Sequence, residues 1–337
     1  MAIDKANSET PGSRPILEMA NAFQRSRVLL TAYEIGLFTV VNDEWKTSEE
    51  VAEALESEPR ATDRLMNALT ALGLLEKRDG HFTNSPVAAA YLVKGRPDYM
   101  AGLAHTAHLW QTWSGLTTAV RRGTSTVGDE VNERGDDWLR AFIGAMHWRA
   151  RQMADPIVRL LDLSGVSRVL DVGGGSGAFS MAFVRAGAGI HAVVFDLANV
   201  VPLTKNYVES AGYEAQVSIV VGDYRRDQLP DGFDLVFLSA IVHANSFEEN
   251  RHLLRKCASA LEPGGQVVVL DQIMNEDRTA PLPAAMFALN MLVGTGAGDT
   301  YTEPEVRGWM EEAGLGNITR KDTAFNNTMI IGRKPGP

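Results

Sequence analysis

Residues 169–180 read VLDVGGGSGAFS. An apolar run closes on Asp171, and Gly173, Gly174, Gly175 and Gly177 then lead into a stretch with helical spacing. Glycine permits the sharp bend and lets a ligand press against bare backbone. The pattern predicts a strand, a tight turn and a helix, with a nucleotide-like cofactor at the carboxyl end of the strand. Downstream, HAVVFDL puts Asp196 at the end of a second strand, 23 residues after Gly173. A carboxylate there can accept from both ribose hydroxyls. In VVGDYR, Asp223 ends a third strand and can accept from an exocyclic adenine amine, while Tyr224 can lie against the ring. The strand candidates are 168–172, 191–196, 217–221, 234–239 and 266–271, with 327–331 last. They are short, apolar and rich in valine, and helical stretches separate most of them. From about residue 164 to 334 the chain therefore predicts a doubly wound α/β domain with a mostly parallel sheet. Pro263-Gly264-Gly265 predicts a turn before the fifth strand.

Two cofactor classes suit this pattern. Gly173, Gly175 and Ala178 satisfy the looser G-x-G-x-x-A fingerprint of dinucleotide folds, so an NAD-dependent oxidoreductase is one reading. Asp171, two residues ahead of the first glycine, favours a cationic ligand instead, because a carboxylate repels a pyrophosphate. Residues 238–251, LSAIVHANSFEENR, carry the candidate base. His243 follows the fourth strand and precedes a helix that Ser246 and Glu249 open as a capping box. Such a position faces the cleft beyond the strand ends. Imidazole titrates near neutrality and is suited to relieving a hydroxyl of its proton, a phenol having a pKa near 10. For the residue taken alone, a histidine satisfied by local backbone is the plainer reading.

Ahead of this domain, residues 15–99 predict three helices and a hairpin turning at Asp79-Gly80, a winged-helix order. Thr47-Ser-Glu-Glu50 reads as a capping box, with Val51, Ala52 and Leu55 inward. After Pro59 a helix follows whose stripe is Leu65, Leu69 and Leu72. Between residues 43 and 80 stand five Lys/Arg against ten Asp/Glu, 5 − 10 = −5. A DNA reader needs a basic face, so the module reads as a dimerisation or packing unit, and a DNA-bound regulator is disfavoured. Residues 100–163 predict a helical connector with Trp110, Trp113, Trp138 and Trp148, four of the six tryptophans. Asp136 or Asp137 can cap its long helix, whose stripe is Leu139, Phe142, Ile143 and Met146. This composition fits an apolar lid over a flat organic substrate as well as it fits a packed core. His105 and His108 share a helix face, but no third ligand is evident, so no metal is expected.

The 337 residues correspond to about two domains at roughly 150 residues each. Apolar residues make up 45% and charged residues 22%, an ordinary globular balance. A lone cysteine, Cys257, excludes a disulfide framework within the chain and points to a reducing compartment. There is no apolar run long enough for a membrane helix. The polar opening MAIDKANSETPGSRP lacks a signal-peptide core, so residues 1–14 read as a disordered tail of a cytoplasmic protein. A net charge of −10 disfavours nucleic acid or anionic membrane as partner.

AFQRSRVLLTAYEIGLF, DVGGGSG, FDL, GDY, LSAIVH and the PGG turn occur in order. Together they resemble the class I S-adenosylmethionine (SAM)-dependent small-molecule O-methyltransferases of the plant caffeate and animal acetylserotonin type, over residues 16–334. The resemblance implies a Rossmann-like seven-stranded sheet with one antiparallel strand near the end. It also implies a winged-helix module that forms an intertwined homodimer, and SAM as cofactor. The acceptor would be a hydroxyl of a small aromatic or polyketide-like metabolite. By motif, Gly173, Asp196, Asp223 and Tyr224 fall on SAM-binding positions, with Asp171, Gly175, Gly177 and Leu197 in the same motifs. His243 falls on the base. A plant lysine that helps hold SAM is Ser239 here, and the plant Asp-Trp after the histidine is Ala244-Asn245. Of two glutamates that orient the histidine, the first appears as Asp271 and the second falls at Thr300, beside Asp299. These departures keep N- or C-methylation as the alternative. Phe142, Met146 and Met291 match substrate-facing positions; Asn290, Trp110, Trp113, His105 and His147 are further acceptor-side candidates.

Overall fold

The structure, a computed structural model, describes residues 12–127 and 134–336. Residues 1–11 of the expected tail lie outside the described residues. The chain divides into two compact units, Met1–Ala107 and His108–Pro337.

The first unit holds α1 (Arg14–Asn21), α2 (Phe23–Glu34), α3 (Leu37–Val41), α4 (Ser48–Ala54), α5 (Pro59–Ala71), β1 (Leu75–Arg78), β2 (His81–Asn84) and α6 (Pro86–Tyr91). At the start of α4, Thr47 Oγ1 accepts from Glu50 N–H, and the Glu50 carboxylate accepts from Thr47 N–H at 2.7 Å. The β1–β2 hairpin turns on Asp79 and Gly80, with φ of 47° and 79°. Both angles are left-handed, as a two-residue primed turn requires. Leu37, Phe38, Val41, Val51, Met66, Leu69 and Phe82 form the core. The stripe expected on α5 is shifted: Thr62, Met66 and Leu69 face inward, while Leu72 caps the helix and is 37% exposed. The sets 65/69/72 and 62/66/69 both have helical spacing, and only packing chooses between them. Helix α1 buries no residue within the chain.

From the boundary onward come α7 (Leu103–Ser114, which crosses it), α8 (Leu116–Arg122) and α9 (Asp136–Val158). Neither Asp136 nor Asp137 caps α9. Gly135 is the N-cap, and both acids lie in the first turn, where they meet the positive end of the helix dipole.

The α/β core runs β3 (Arg168–Val172), α10 (Ala178–Ala186), β4 (His191–Asp196), α11 (Val201–Ser210), β5 (Val217–Val221) and β6 (Phe233–Ser239). A single 3-10 turn (Val242–Ala244) leads to α12 (Phe247–Ala260) and β7 (Leu261–Asp271), then α13 (Leu282–Gly294), α14 (Glu303–Glu312), β8 (Gly316–Asp322) and β9 (Thr328–Arg333). The seven strands lie in the order β5-β4-β3-β6-β7-β9-β8, parallel except for β9, which is antiparallel to both β7 and β8. Both faces of the central strands are covered, which is why β3, β4 and β6 are near-continuously apolar, while the edge strands β5 and β8 are mostly exposed. Val169, Leu235, Phe237 and Val268 pack with Phe179, Phe183 and Ile157 on one face. Leu170, Val236, Leu238 and Val267 pack with Leu253, Leu254, Cys257 and Trp309 on the other. The Pro263-Gly264-Gly265 segment is not a turn ahead of β7 but a bulge inside it, with Pro263 and Gly264 exposed and Gly265 buried. Pairing runs Phe233–Leu261, breaks, and resumes at Leu235–Gln266.

β4 and β5 extend from one side of β3, and β6 and β7 from the other. The switch in direction between β3 and β6 opens a crevice at the carboxyl edge, the general ligand position of such sheets. Asp171, Asp196, Ser239 and Asp271 all stand at that edge. No described helix is long and apolar enough to cross a membrane.

Candidate active site

The loop from β3 to α10 is pinned residue by residue. Gly173 N–H donates to Phe195 O at 2.8 Å and Gly177 N–H to Gly174 O at 2.9 Å. Gly175 N–H donates to Asp196 Oδ2 at 2.8 Å, and its carbonyl accepts from the buried Thr204 hydroxyl at 2.6 Å. Gly173, Gly175 and Gly177 have φ of 66°, 57° and 73°, a region that costs an L-residue roughly 1–2 kcal/mol. Space adds to the requirement: a Cβ on Gly173 would stand 2.4 Å from Ile241 Cδ1, and one on Gly174 2.7 Å from the Asp171 carboxyl. Asp171 folds beneath the loop and accepts from the Ser180 hydroxyl at 2.7 Å.

Asp171 and Asp196 are buried carboxylates, and neither forms an ion pair among the described residues. Burial pushes Asp171 up to about 7, the neighbouring Asp196 adding to the shift and the Ser180 hydroxyl opposing it. Burial likewise pushes Asp196 up to about 6 against the pull of the Gly175 and Leu197 N–H groups. Desolvated negative charge without a counter-ion is costly. The site therefore fits a ligand that brings positive charge and hydroxyls, such as SAM, and fits a pyrophosphate poorly. Asp223 Oδ1 accepts from Arg225 N–H at 2.9 Å, and Arg226 lies 3.5 Å from Oδ2. The Tyr224 ring lies beside Gly173, and its hydroxyl donates to Asn245 Oδ1 at 3.1 Å. Ser239 ends β6 half-buried.

His243 sits in the 3-10 turn after β6, one strand over from Asp271 at the end of β7. Its Nδ1 is 2.8 Å from Asp271 Oδ1 and 3.0 Å from Oδ2. The two side chains are 13% and 3% exposed. Asp271 also accepts from Gln272 N–H at 2.8 Å. A carboxylate beside Nδ1 places the ring proton there and leaves the lone pair on Nε2, which has no hydrogen-bond partner among the described residues. Phe287 of α13 packs edge-on against the imidazole, with ring centroids 4.7 Å apart. Sequence reading missed Phe287, although its spacing of three and four residues before Asn290 and Met291 puts all three on one helix face.

Several residues take partners other than those expected. Asp299 does not reach the imidazole: it pairs with Arg278 at 3.0 Å and accepts from Thr300 N–H. Thr300 is buried and donates its hydroxyl to Ala284 O. His243 thus rests on a single carboxylate among the described residues. His147, an acceptor-side candidate, has Nδ1 2.9 Å from Ser176 Oγ of the glycine loop and stacks on Tyr207 at 4.0 Å. Burial, with Arg151 nearby, pushes His147 down to about 4, so the ring is neutral at physiological pH. The Asn290 Oδ1 accepts from Trp113 Nε1–H at 2.8 Å, tying α7 to α13. Phe142 stacks on Trp138 at 5.0 Å in a cluster with Leu139, Ile143 and Val200. Met146 and Trp110 are half-buried, and Met291 is buried. Side-chain reach set these outcomes, and residue type alone could not rank the partners.

The family described as O-methyltransferase domain matches residues 113–316, and the O-methyltransferase dimerisation domain matches residues 17–94. The chain is 34% identical over 313 residues to 3-hydroxy-5-methyl-1-naphthoate 3-O-methyltransferase of Streptomyces sahachiroi, spanning 90% of this chain and 89% of that one. It is 30% identical over 335 residues to the N,N-dimethyltransferase OxyT of Streptomyces rimosus, spanning 96% and 97%. Among solved structures, human N-acetylserotonin methyltransferase in complex with SAM matches with a TM-score of 0.86 at 26% identity, over 98% of this chain and 100% of that one.

Proposed function

Because the chain belongs to the O-methyltransferase family and carries that family's dimerisation domain, we propose that it methylates a hydroxyl of a small aromatic or polyketide-like metabolite, with SAM as donor and His243 as general base. The observation that carries this reading is the His243–Asp271 pair at the crevice, next to two buried carboxylates that lack a cation. Family membership sets aside the dinucleotide alternative raised by Gly173, Gly175 and Ala178.

SAM supplies, when bound, a methyl group on a positively charged sulfur, open to in-line displacement. Asp196 retains acceptor capacity for ribose hydroxyls beyond its two backbone N–H bonds. Asp223 would accept from the adenine amine, and Tyr224 would lie against the ring. Leu197, Gly173, Gly175, Gly177 and Ser239 would complete the walls, with Asp171 adding negative potential beneath the loop. On the acceptor side, Nε2 of His243 takes the hydroxyl proton as the oxygen attacks. Asp271 keeps Nδ1 protonated and stabilises the imidazolium that forms. Phe142, Met146, Trp110 and Met291 are the acceptor-side candidates; His147 and Asn290 are assigned to holding Ser176 and Trp113.

A transfer screen with methyl-labelled SAM against phenols and hydroxylated polyketides tests the reading. Label in an aryl methyl ether supports it. Label on nitrogen supports a second reading, which the likeness to an N,N-dimethyltransferase favours. No transfer to any member, with no SAM binding, overturns both.

Affinity for SAM should rise with pH between about 5 and 7.5 and then level off. A cationic ligand favours ionised carboxylates, so binding displaces protons from Asp196 and Asp171, whose values near 6 and 7 set that window. Calorimetry in two buffers of different ionisation enthalpy should register proton release near pH 6. Proton uptake, or a flat affinity profile, would contradict the assignment of these carboxylates.

The homodimer is proposed to use α1. Its Ile16, Leu17 and Met19, with Phe23 after it, are 72%, 58%, 79% and 52% exposed, and such a cluster of apolar side chains marks a protein interface. Ile16→Asp with Met19→Asp should weaken dimerisation by about 100-fold or more, the effect of losing two central contacts. Light scattering over a dilution series would register it; an unchanged dimer would move the interface elsewhere.

A further inference from the structure

Asn245 stands between the cofactor side and the base side of the crevice, and the mechanism above does not use it. It is 1% exposed. Its Oδ1 accepts from the Tyr224 hydroxyl at 3.1 Å and from Arg225 Nε–H at 3.2 Å. Its Nδ2 donates to Ile241 O at 3.4 Å and to Asn250 Oδ1 at 3.2 Å. The backbone carbonyl accepts from the Tyr301 hydroxyl at 2.7 Å. Two of these neighbours also grip the turn that bears His243: Arg225 Nη2 donates to Ala244 O at 3.1 Å, and Asn250 Nδ2 to Val242 O at 2.8 Å. That turn spans three residues. A 3-10 segment so short has weak hydrogen bonds of its own, so its orientation depends on its flanks.

We propose that Asn245 is a positioning residue that couples SAM binding to the placement of His243. Adenine packed on the Tyr224 ring restricts that side chain. The Tyr224 hydroxyl then holds Asn245 Oδ1, and the Asn245 carboxamide holds the His243 turn. Coupling of this kind is reciprocal: a fixed turn favours the cofactor as much as the cofactor favours a fixed turn. The proposal rests on the reading of Tyr224 as a cofactor-side residue and His243 as the base.

The test uses the full-length protein and S-adenosylhomocysteine as probe, so it needs no acceptor. Affinity is read by calorimetry and the His243 ring by histidine-selective nitrogen-15 NMR, assigned with His243→Ala. Tyr224→Phe keeps the ring and removes only the bond to Asn245. It should weaken S-adenosylhomocysteine by up to about 5-fold, the net worth of one hydrogen bond being the ceiling on what this bond can couple. It should also shrink the shift of the His243 ring signal that the ligand induces in the unaltered protein. Asn245→Ala should abolish that shift, and adding Tyr224→Phe to it should change affinity by less than about 2-fold, since both act through one bond. Were Asn245→Ala to unfold, Tyr224→Phe alone would decide. A ligand-induced His243 shift of unaltered size in Tyr224→Phe would overturn the coupling, as would fully additive losses in the double variant. Failure of the base reading would show separately, as unchanged turnover in His243→Ala, and leaves the NMR comparison intact.

Discussion

Replacing His243 with Ala is expected to lower turnover of a phenolic acceptor at least ~100-fold at neutral pH, the scale of a lost general base. SAM affinity should stay within a few-fold, because in the proposed division of the site the cofactor is held by the glycine loop, Asp196 and Asp223. The deficit should narrow as pH rises toward the phenol pKa near 10, where the acceptor is already ionised and needs no base. Initial rates across pH 7 to 10, alongside calorimetric SAM binding, check this. Unchanged turnover at pH 7 would remove His243 from the chemistry. A parallel loss of SAM binding would reassign it to the cofactor site.

Asp271→Asn should be nearly as damaging, with turnover down by about 10²- to 10⁴-fold. In the native site the carboxylate accepts from Nδ1–H at 2.8 Å and leaves Nε2 basic. An asparagine amide can donate to Nδ1, which moves the ring proton to Nε2 and removes the base. The same exchange behind a catalytic histidine in hydrolases costs about 10⁴. The expected magnitude is broader here because Asp271 is, among the described residues, the single carboxylate on this imidazole, with Asp299 held by Arg278. Nitrogen-15 shifts of the ring would register the reversed tautomer directly. Full activity in Asp271→Asn would mean that the ring is oriented by something other than this bond.

Features decided within a few residues were legible in the chain. Thr47/Glu50 and Ser246/Glu249 close as capping boxes, and Asp79-Gly80 turns the hairpin. Five parallel strands lie where valine-rich runs predict them; the central ones are covered on both faces, which demands unbroken apolar runs, while β5 is an edge strand with one buried residue. β8 carries no such signal: GNITRKD is an edge strand, mostly exposed, and its pairing with β9 needs no apolar run. The bulge at Pro263-Gly264-Gly265 has the sequence signature of a turn because both use glycine for the same backbone freedom.

The sequence by itself determined the chemistry present at the carboxyl edge of the sheet: a glycine loop, the acids Asp171, Asp196, Asp223 and Asp271, and a histidine after β6. Their positions follow from local strand and turn signals, which few tertiary contacts can override. Only the tertiary structure decided which groups meet. His243 finds Asp271 across β6 and β7 and not Asp299, which a nearby guanidinium takes first. His147 turns to Ser176 and Asn290 to Trp113, and Asn245 gathers Tyr224, Arg225 and Asn250 around the turn of the base. Hydrogen bonds form over about 3 Å. Partners drawn from distant parts of the chain are selected by how the layers pack, and that distance is not written in residue type or spacing.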